Sequence, residues 1–189
     1  MEIASLLFER SGAENTAATL QAARMRAGQL GIRQVVVASS HGGTALAAQK
    51  AFAGLDTRLV AVGITAGYSG MGWSMTAGER ARLEEAGIRV LTSVHALGDD
   101  VNDALGFVAP NRVVRTTLYR FCQGMKVAVE VTLMAADAGL LDIDQEAIAI
   151  AGTGGGADTA VVVKPACCRN FEELEIREIL AKPRNASNG

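Results

Sequence analysis

The stretch Gln34-Val35-Val36-Val37-Ala38-Ser39-Ser40-His41-Gly42-Gly43-Thr44-Ala45 constrains the fold more than any other part of the chain. Val35, Val36 and Val37 form a continuous β-branched run, which suits a parallel strand covered on both faces. Residues 39–43 carry little bulk and let a ligand approach the backbone. Thr44 then opens the apolar run Ala45-Leu46-Ala47-Ala48, the start of a helix. Where a strand passes through a small-residue loop into a helix, free N–H groups and the positive end of the helix dipole point at one place. Such a place attracts phosphate or carboxylate. The same residues also suit an ordinary βα turn with serine caps, and the loop alone leaves both readings open. His41 has two readings as well, a donor to a phosphate or an exposed loop histidine.

The rest of the chain alternates strands and helices around this unit. Residues 3–8 read as a first strand. Asn15 or Thr16 is a natural N-cap for a helix that Gly31 ends after Leu30. A second helix is expected over 44–53 and a third strand over 58–62. Residues 63–75 hold four glycines with Tyr68 and Trp73, either a mobile lid or a long surface loop. Thr76-Ala77-Gly78-Glu79 reads as a capping box that starts a helix ending before Gly87. A fourth strand follows over 88–91. Residues 93–112 have no clear period. Residues 113–139 form the longest helical stretch, one helix or two broken near Gly124. Its part 125–137 is apolar nearly all round and is expected to be buried. A fifth strand over 147–151, a second glycine-rich loop over 152–158 and a strand over 159–163 complete the pattern. Residues 174–180 fit strand or helix equally. This order predicts an α/β fold with a mostly parallel sheet, as one domain over 1–182 with a polar tail over 183–189.

Composition narrows the function. The chain of 189 residues is 49% hydrophobic but only 4% aromatic, so its core is aliphatic. Net charge is −2 without a basic cluster, which argues against nucleic acid. No apolar run reaches the ~20 residues needed to span a bilayer, and the first residues lack the basic region of a signal peptide. The three cysteines, Cys122, Cys167 and Cys168, have no framework spacing, so reduced thiols in a cytoplasmic protein are expected. Cys167 and Cys168 are adjacent. In a strand they would face opposite ways, which disfavours a redox pair. With only two histidines, a His-rich metal site is not expected.

In parallel sheets, ligands bind beyond the carboxyl ends of the strands. That rule gathers Asn15 and Thr16, the segment Ser39, Ser40, His41, Gly42, Gly43 and Thr44, then Thr65 and the aromatics after it, His95, and the loop Gly154, Gly155, Gly156 and Asp158 with the adjoining Thr159. Hydroxyls and glycines with few charges suit a phosphate held by backbone N–H groups. Neither glycine loop is a Walker loop. The second leads into a strand instead of a helix, which disfavours a Rossmann dinucleotide site; a glycine hairpin and a ligand-facing nest both remain open. Glu130 lies inside the apolar helix, with Asp137 seven residues on. A buried carboxylate needs a partner, so Glu130 is expected to serve structure first and acid/base chemistry second. His95 and Asp137 complete the candidates for proton transfer. The residues themselves point to an α/β protein that binds a small anionic ligand.

Ala38-Ser39-Ser40-His41-Gly42-Gly43-Thr44-Ala45 after a valine strand resembles the phosphate loop of the pyruvate kinase C-terminal domain, Thr-x-Ser-Gly-x-Ser/Thr-Ala. Ser39 takes the Thr place, His41 the Ser place, Gly42 the Gly and Thr44 the last hydroxyl. The chain is still more similar to the stand-alone pyruvate kinase C-terminal-domain-like family. The family's marks are Glu14-Asn15-Thr16, Val37-Ala38-Ser39-Ser40, the segment 129–139, the segment 156–162 and Pro183-Arg184-Asn185. The resemblance implies a three-layer α/β/α fold with the first strand central, and a bound flavin mononucleotide (FMN) whose phosphate suits the Ser39–Thr44 loop. His41 in place of Ser, and the missing Trp and Arg of pyruvate kinase's second loop, do not favour a sugar bisphosphate. Kinase chemistry is not implied either, because its machinery lies outside this domain. Three readings follow: a module binding FMN or another phosphorylated metabolite, an enzyme such as a flavin-dependent oxidoreductase using the same site, or a partner-bound regulatory subunit. A homo-oligomer is compatible with each.

Overall fold

The computed structural model describes residues 4–98 and 100–185. Among these residues seven strands form one sheet in the order β1-β7-β6-β5-β2-β3-β4. The strands are β1 (Leu6–Phe8), β2 (Gln34–Ala38), β3 (Arg58–Ile64), β4 (Arg89–Ser93), β5 (Ala147–Ala151), β6 (Thr159–Lys164) and β7 (Glu175–Pro183). The helices are α1 (Thr16–Leu30), α2 (Gly43–Ala51), α3 (Ala77–Glu85), α4 (Asp100–Leu105), α5 (Asn111–Leu118) and α6 (Gln123–Asp137). β2 pairs in parallel with β3 on one side and β5 on the other, and β3 with β4. β6 alone runs antiparallel to both of its neighbours.

The alternation of β2 explains the layers. Val35 and Val37 face a cluster with Leu20, Ala23 and Ala27 of α1, Ala45 and Ala48 of α2 and Leu83 of α3. Val36 faces the other way, onto Met125, Ala128, Val131 and Ala135 of α6. All three valines are fully buried, as a strand covered on both faces requires. This is the three-layer α/β/α arrangement. α6 is apolar nearly all round because it is covered twice. One side meets the sheet, and its outer side carries Val129 and Leu133 against Leu97, Val114, Leu118 and Leu174.

Local signals held where local chemistry decides. Thr76 and Glu79 form the reciprocal capping box of α3. Gly31 ends α1 with a left-handed φ of 68°, which glycine adopts without steric cost. The long helical stretch is two helices, broken at Cys122, whose sulfur accepts the Met125 N–H as the cap of α6. The ambiguous segment 174–180 lies mostly in β7.

Three expectations differ. β1 is not central: it is a three-residue edge strand, paired only with β7, with Leu7 58% exposed. A strand so short cannot fill a two-sided position, and the central places go to β5 and β2. Second, neither Asn15 nor Thr16 caps α1 through its side chain. Asn15 is the N-cap residue, but its amide donates to the Arg10 carbonyl, and Thr16 Oγ1 donates to the Ala13 carbonyl. Third, the chain read as a tail from 183 is part of the sheet at its start. Pro183 is buried in register with Phe8, and the Arg184 N–H donates to the Phe8 carbonyl. The tail's last residues, 186–189, lie outside the described residues.

Candidate functional site

The strand order reverses between β5 and β2. From β2 the chain crosses by α2, on one face, to β3. It returns by α6, on the other face, to β5. The carboxyl ends of β2, β3 and β5 therefore open between two diverging crossovers, where a crevice is expected. A cleft of about 770 Å³ lies there, within the range of roughly 300–1,000 Å³ usual for ligand sites. A second hollow of about 440 Å³ lies at the opposite, amino ends of these strands and carries none of the candidate residues.

The first wall is the loop that closes β2. Ser39 is buried; its N–H extends the β2–β3 ladder to the Val62 carbonyl at 3.0 Å, and its Oγ accepts the Ala45 N–H at 3.3 Å. The hydroxyl thus takes up one of the orphan donors of the first turn of α2. Gly42 is the N-cap, with φ of 83° and no side-chain cap. The conformation favours glycine, and a Cβ there would meet three Leu83 side-chain atoms in a tight contact at 3.3 Å. Gly43 and Thr44, the first residues of α2, line the cleft with Ser39, Ser40 and His41. His41 Nδ1 lies 3.3 Å from a Glu79 carboxylate oxygen. Glu79 is held below the usual carboxylate range by the Thr76 N–H and hydroxyl, with His41 adding to the effect.

The second wall is the β5–β6 hairpin loop. The loop is a glycine hairpin, and Gly152, Gly154, Gly155 and Gly156 border the cleft. Gly154, Gly155 and Gly156 all have positive φ. The loop is pinned from behind. Thr16 Oγ1 accepts the Ala157 N–H at 3.0 Å, and Asp158 Oδ2 accepts the Gly12 N–H at 3.0 Å. Asp158 Oδ1 accepts from Thr159 Oγ1, which in turn lies 3.3 Å from Cys122 Sγ. Thr16, Asp158 and Thr159 are thus a clasp behind the cleft and do not line it, and Asn15, bonded to the Arg10 and Gly12 carbonyls, does not line it either. Thr65 does not line it either: its carbonyl takes the Tyr68 N–H and the Ser74 hydroxyl, closing the turn 66–71.

That turn supplies the third wall. Tyr68 stacks on Trp73 with ring centroids 5.9 Å apart and planes 8° from parallel, and meets His95 edge-on at 5.6 Å. The Tyr68 hydroxyl donates to Asp100 Oδ1 at 2.9 Å. This bond, then burial, then nearby carboxylates raise the Tyr68 pKa.

All of the fourth wall except Glu130 was missed in the sequence. Arg115, Tyr119, Gln123, Lys126 and Glu130 all line the cleft. Their spacing of three and four residues is a helical stripe carried across the α5–α6 corner. The signal was present, but the break at Cys122 hid it. Lys126 Nζ lies 2.5 Å from Glu130 Oε2 and 5.9 Å from the Tyr119 ring centroid. Glu130 Oε1 also accepts the Leu97 N–H at 3.1 Å. Burial raises the Tyr119 pKa, and the Glu130 charge adds to it. Asp137, by contrast, is exposed at the far end of α6 and accepts the Cys168 N–H at 3.0 Å, away from the cleft. Of the three acid/base candidates, Glu130 and His95 line the cleft and Asp137 does not.

No family model matches the chain. Among solved structures it is similar to a pyruvate kinase from Cryptosporidium parvum, with 15% identity and a TM-score of 0.40, over 79% of this chain and 22% of that one. A second structure of that organism's pyruvate kinase gives 14% identity and 0.40, over 83% and 24%. A third, in complex with ADP, gives 16% and 0.37, over 80% and 23%. The chain thus spans less than a quarter of the length of the enzymes it matches. It is a domain-sized chain similar to a part of these pyruvate kinase structures.

Proposed function

We propose that the cleft binds a phosphorylated small molecule with a planar ring, FMN above all, with its phosphate on the Ser39–Thr44 loop. One observation carries this reading. The start of α2, where Gly42 offers no side-chain cap and Ser39 takes up the Ala45 N–H, the glycine loop and the stacked Tyr68–Trp73 pair all border the same cleft. Helix N-terminal N–H groups suit a phosphate, and a flat aromatic wall suits a ring. The fit can be judged at the glycines: a Cβ on Gly43, Gly154 or Gly155 would meet nothing within 4 Å, so the loops leave space for a ligand against the backbone. When bound, a flavin supplies one- or two-electron redox chemistry. This chain's own residues bind, orient and shield it.

Trp73 is the only tryptophan and sits in the cleft wall, so its emission reports occupancy. FMN is expected to quench it and riboflavin, which lacks the phosphate, to bind roughly tenfold or more weakly, since charge-assisted hydrogen bonds are lost. Thr44→Val is expected to weaken FMN and leave riboflavin unchanged. Unaltered emission and unaltered thermal stability in saturating FMN would sink the flavin reading.

A second reading, an enzyme working on the bound ring, draws support from Glu130, Lys126 and His95 in the same cleft. Turnover of NAD(P)H by the FMN-loaded protein, lost in Glu130→Gln, would favour it.

A further inference from the structure

Residues 100–118 carry an anomaly that the cleft does not use. Leu105, Phe107, Val108 and Val113 are 65–71% exposed, and Val101 is as open as these. A monomeric soluble protein rarely leaves large side chains so concentrated in water. Charges of opposite sign flank them. α4 contributes Asp100 and Asp103, and α5 contributes Arg112 and Arg115. Asp103, Arg112 and Arg115 have no ion pair among the described residues, whereas Asp100 takes the Tyr68 hydroxyl. Asp103 and Arg115 both border the cleft, so the two helices form one rim.

We propose that this face joins two copies of the chain about a two-fold axis, with α4 of each copy against α5 of the other. A two-fold contact needs a surface that complements itself. Read along the chain, this one runs acid, apolar, base; turned by half a revolution, it reads base, apolar, acid. The apolar residues then meet at the axis, and each acidic helix meets a basic one. A membrane or a partner of one charge sign would leave half of these charges unmatched.

Sedimentation and light scattering on the full chain test this. The expected mass is twice 19.6 kDa, and Phe107→Asp is expected to give a folded monomer with unchanged circular dichroism. Asp103→Arg and Arg112→Asp should each weaken the dimer by roughly tenfold or more, because like charges then face each other. Mixing these two variants should restore it, since the arginine introduced in one copy then meets the aspartate introduced in the other, and the remaining Asp103 and Arg112 face each other as before. A wild-type monomer overturns the proposal and leaves the face to a different protein. A dimer indifferent to Phe107→Asp overturns it, and so does a mixture that fails to reassociate.

Discussion

Lys126 Nζ and Glu130 Oε2 stand 2.5 Å apart, four residues apart on α6, with both side chains at least nine-tenths buried in the cleft wall. Removing one member leaves a charge in a place that was built for two. Glu130→Gln keeps an acceptor for the Leu97 N–H but strands the ammonium, so it should cost about 3–5 kcal/mol in urea unfolding. The double variant Lys126→Met/Glu130→Gln should recover most of that loss. A single-variant cost under about 1 kcal/mol would mean that water already reaches the pair.

The glycine loop makes a contrast between neighbours. A Cβ at Gly156 would lie 2.5–2.8 Å from Thr16 Oγ1 and from Ala13, at a φ of 64°. Gly154 has a similar φ of 71° but open space. Gly154→Ala should therefore cost only the left-handed penalty of about 1–2 kcal/mol. Gly156→Ala should exceed that by a further ~1–3 kcal/mol from the clash and loosen the clasp to residues 12–16. Equal denaturation midpoints for the two variants would refute the contrast.

The adjacent thiols should be sluggish nucleophiles. Burial, a hydrogen bond to Asp137 and the charge of Asp137 push Cys168 up from 9.0 to about 12, and the same causes raise Cys167. Because the thiolate is the reactive form, iodoacetamide should label Cys168 far more slowly in the folded protein than in the unfolded chain. Asp137→Asn should speed the reaction. The raised pKa favours the folded state below about 9. That contribution is lost as pH climbs towards 12. Peptide mapping after timed alkylation reads each rate.

Tyr68 and Tyr119 are the only tyrosines, and both are raised above 10.0, Tyr68 chiefly by Asp100 and Tyr119 chiefly by burial. An ultraviolet titration should therefore show phenolate forming at higher pH in the folded chain than in denaturant. Asp100→Asn should bring one of the two transitions down. Stability from both groups is complete below pH 10.0 and falls as pH rises beyond it. A folded titration that overlays the unfolded one would count against the hydroxyl–carboxylate bond.

The chain itself determined whatever rests on neighbouring residues. Val35, Val36 and Val37 specify a buried strand. Thr76 and Glu79 specify a cap, and Gly31 an end, because each interaction closes within one turn. The Ser39–Thr44 loop was legible as a strand-to-helix junction for the same reason. What the sequence could not decide was which distant groups meet. Asp158 and Thr16 read as ligand contacts, yet one holds Gly12 and the other Ala157, each more than 140 residues away in the chain. Gly42 is favoured by its φ of 83°, and Leu83, from another helix, packs where a Cβ would stand. Lys126 was not singled out in the sequence; the fold sets it beside Glu130 and Tyr119 on the cleft. Strand order had the same origin. β1 is too short to be covered on both sides and lies at the edge, while β5, more than a hundred residues after β2, pairs beside it and opens the crevice. Local hydrogen bonding is written in short spacing. Burial and charge pairing are settled only when the layers close.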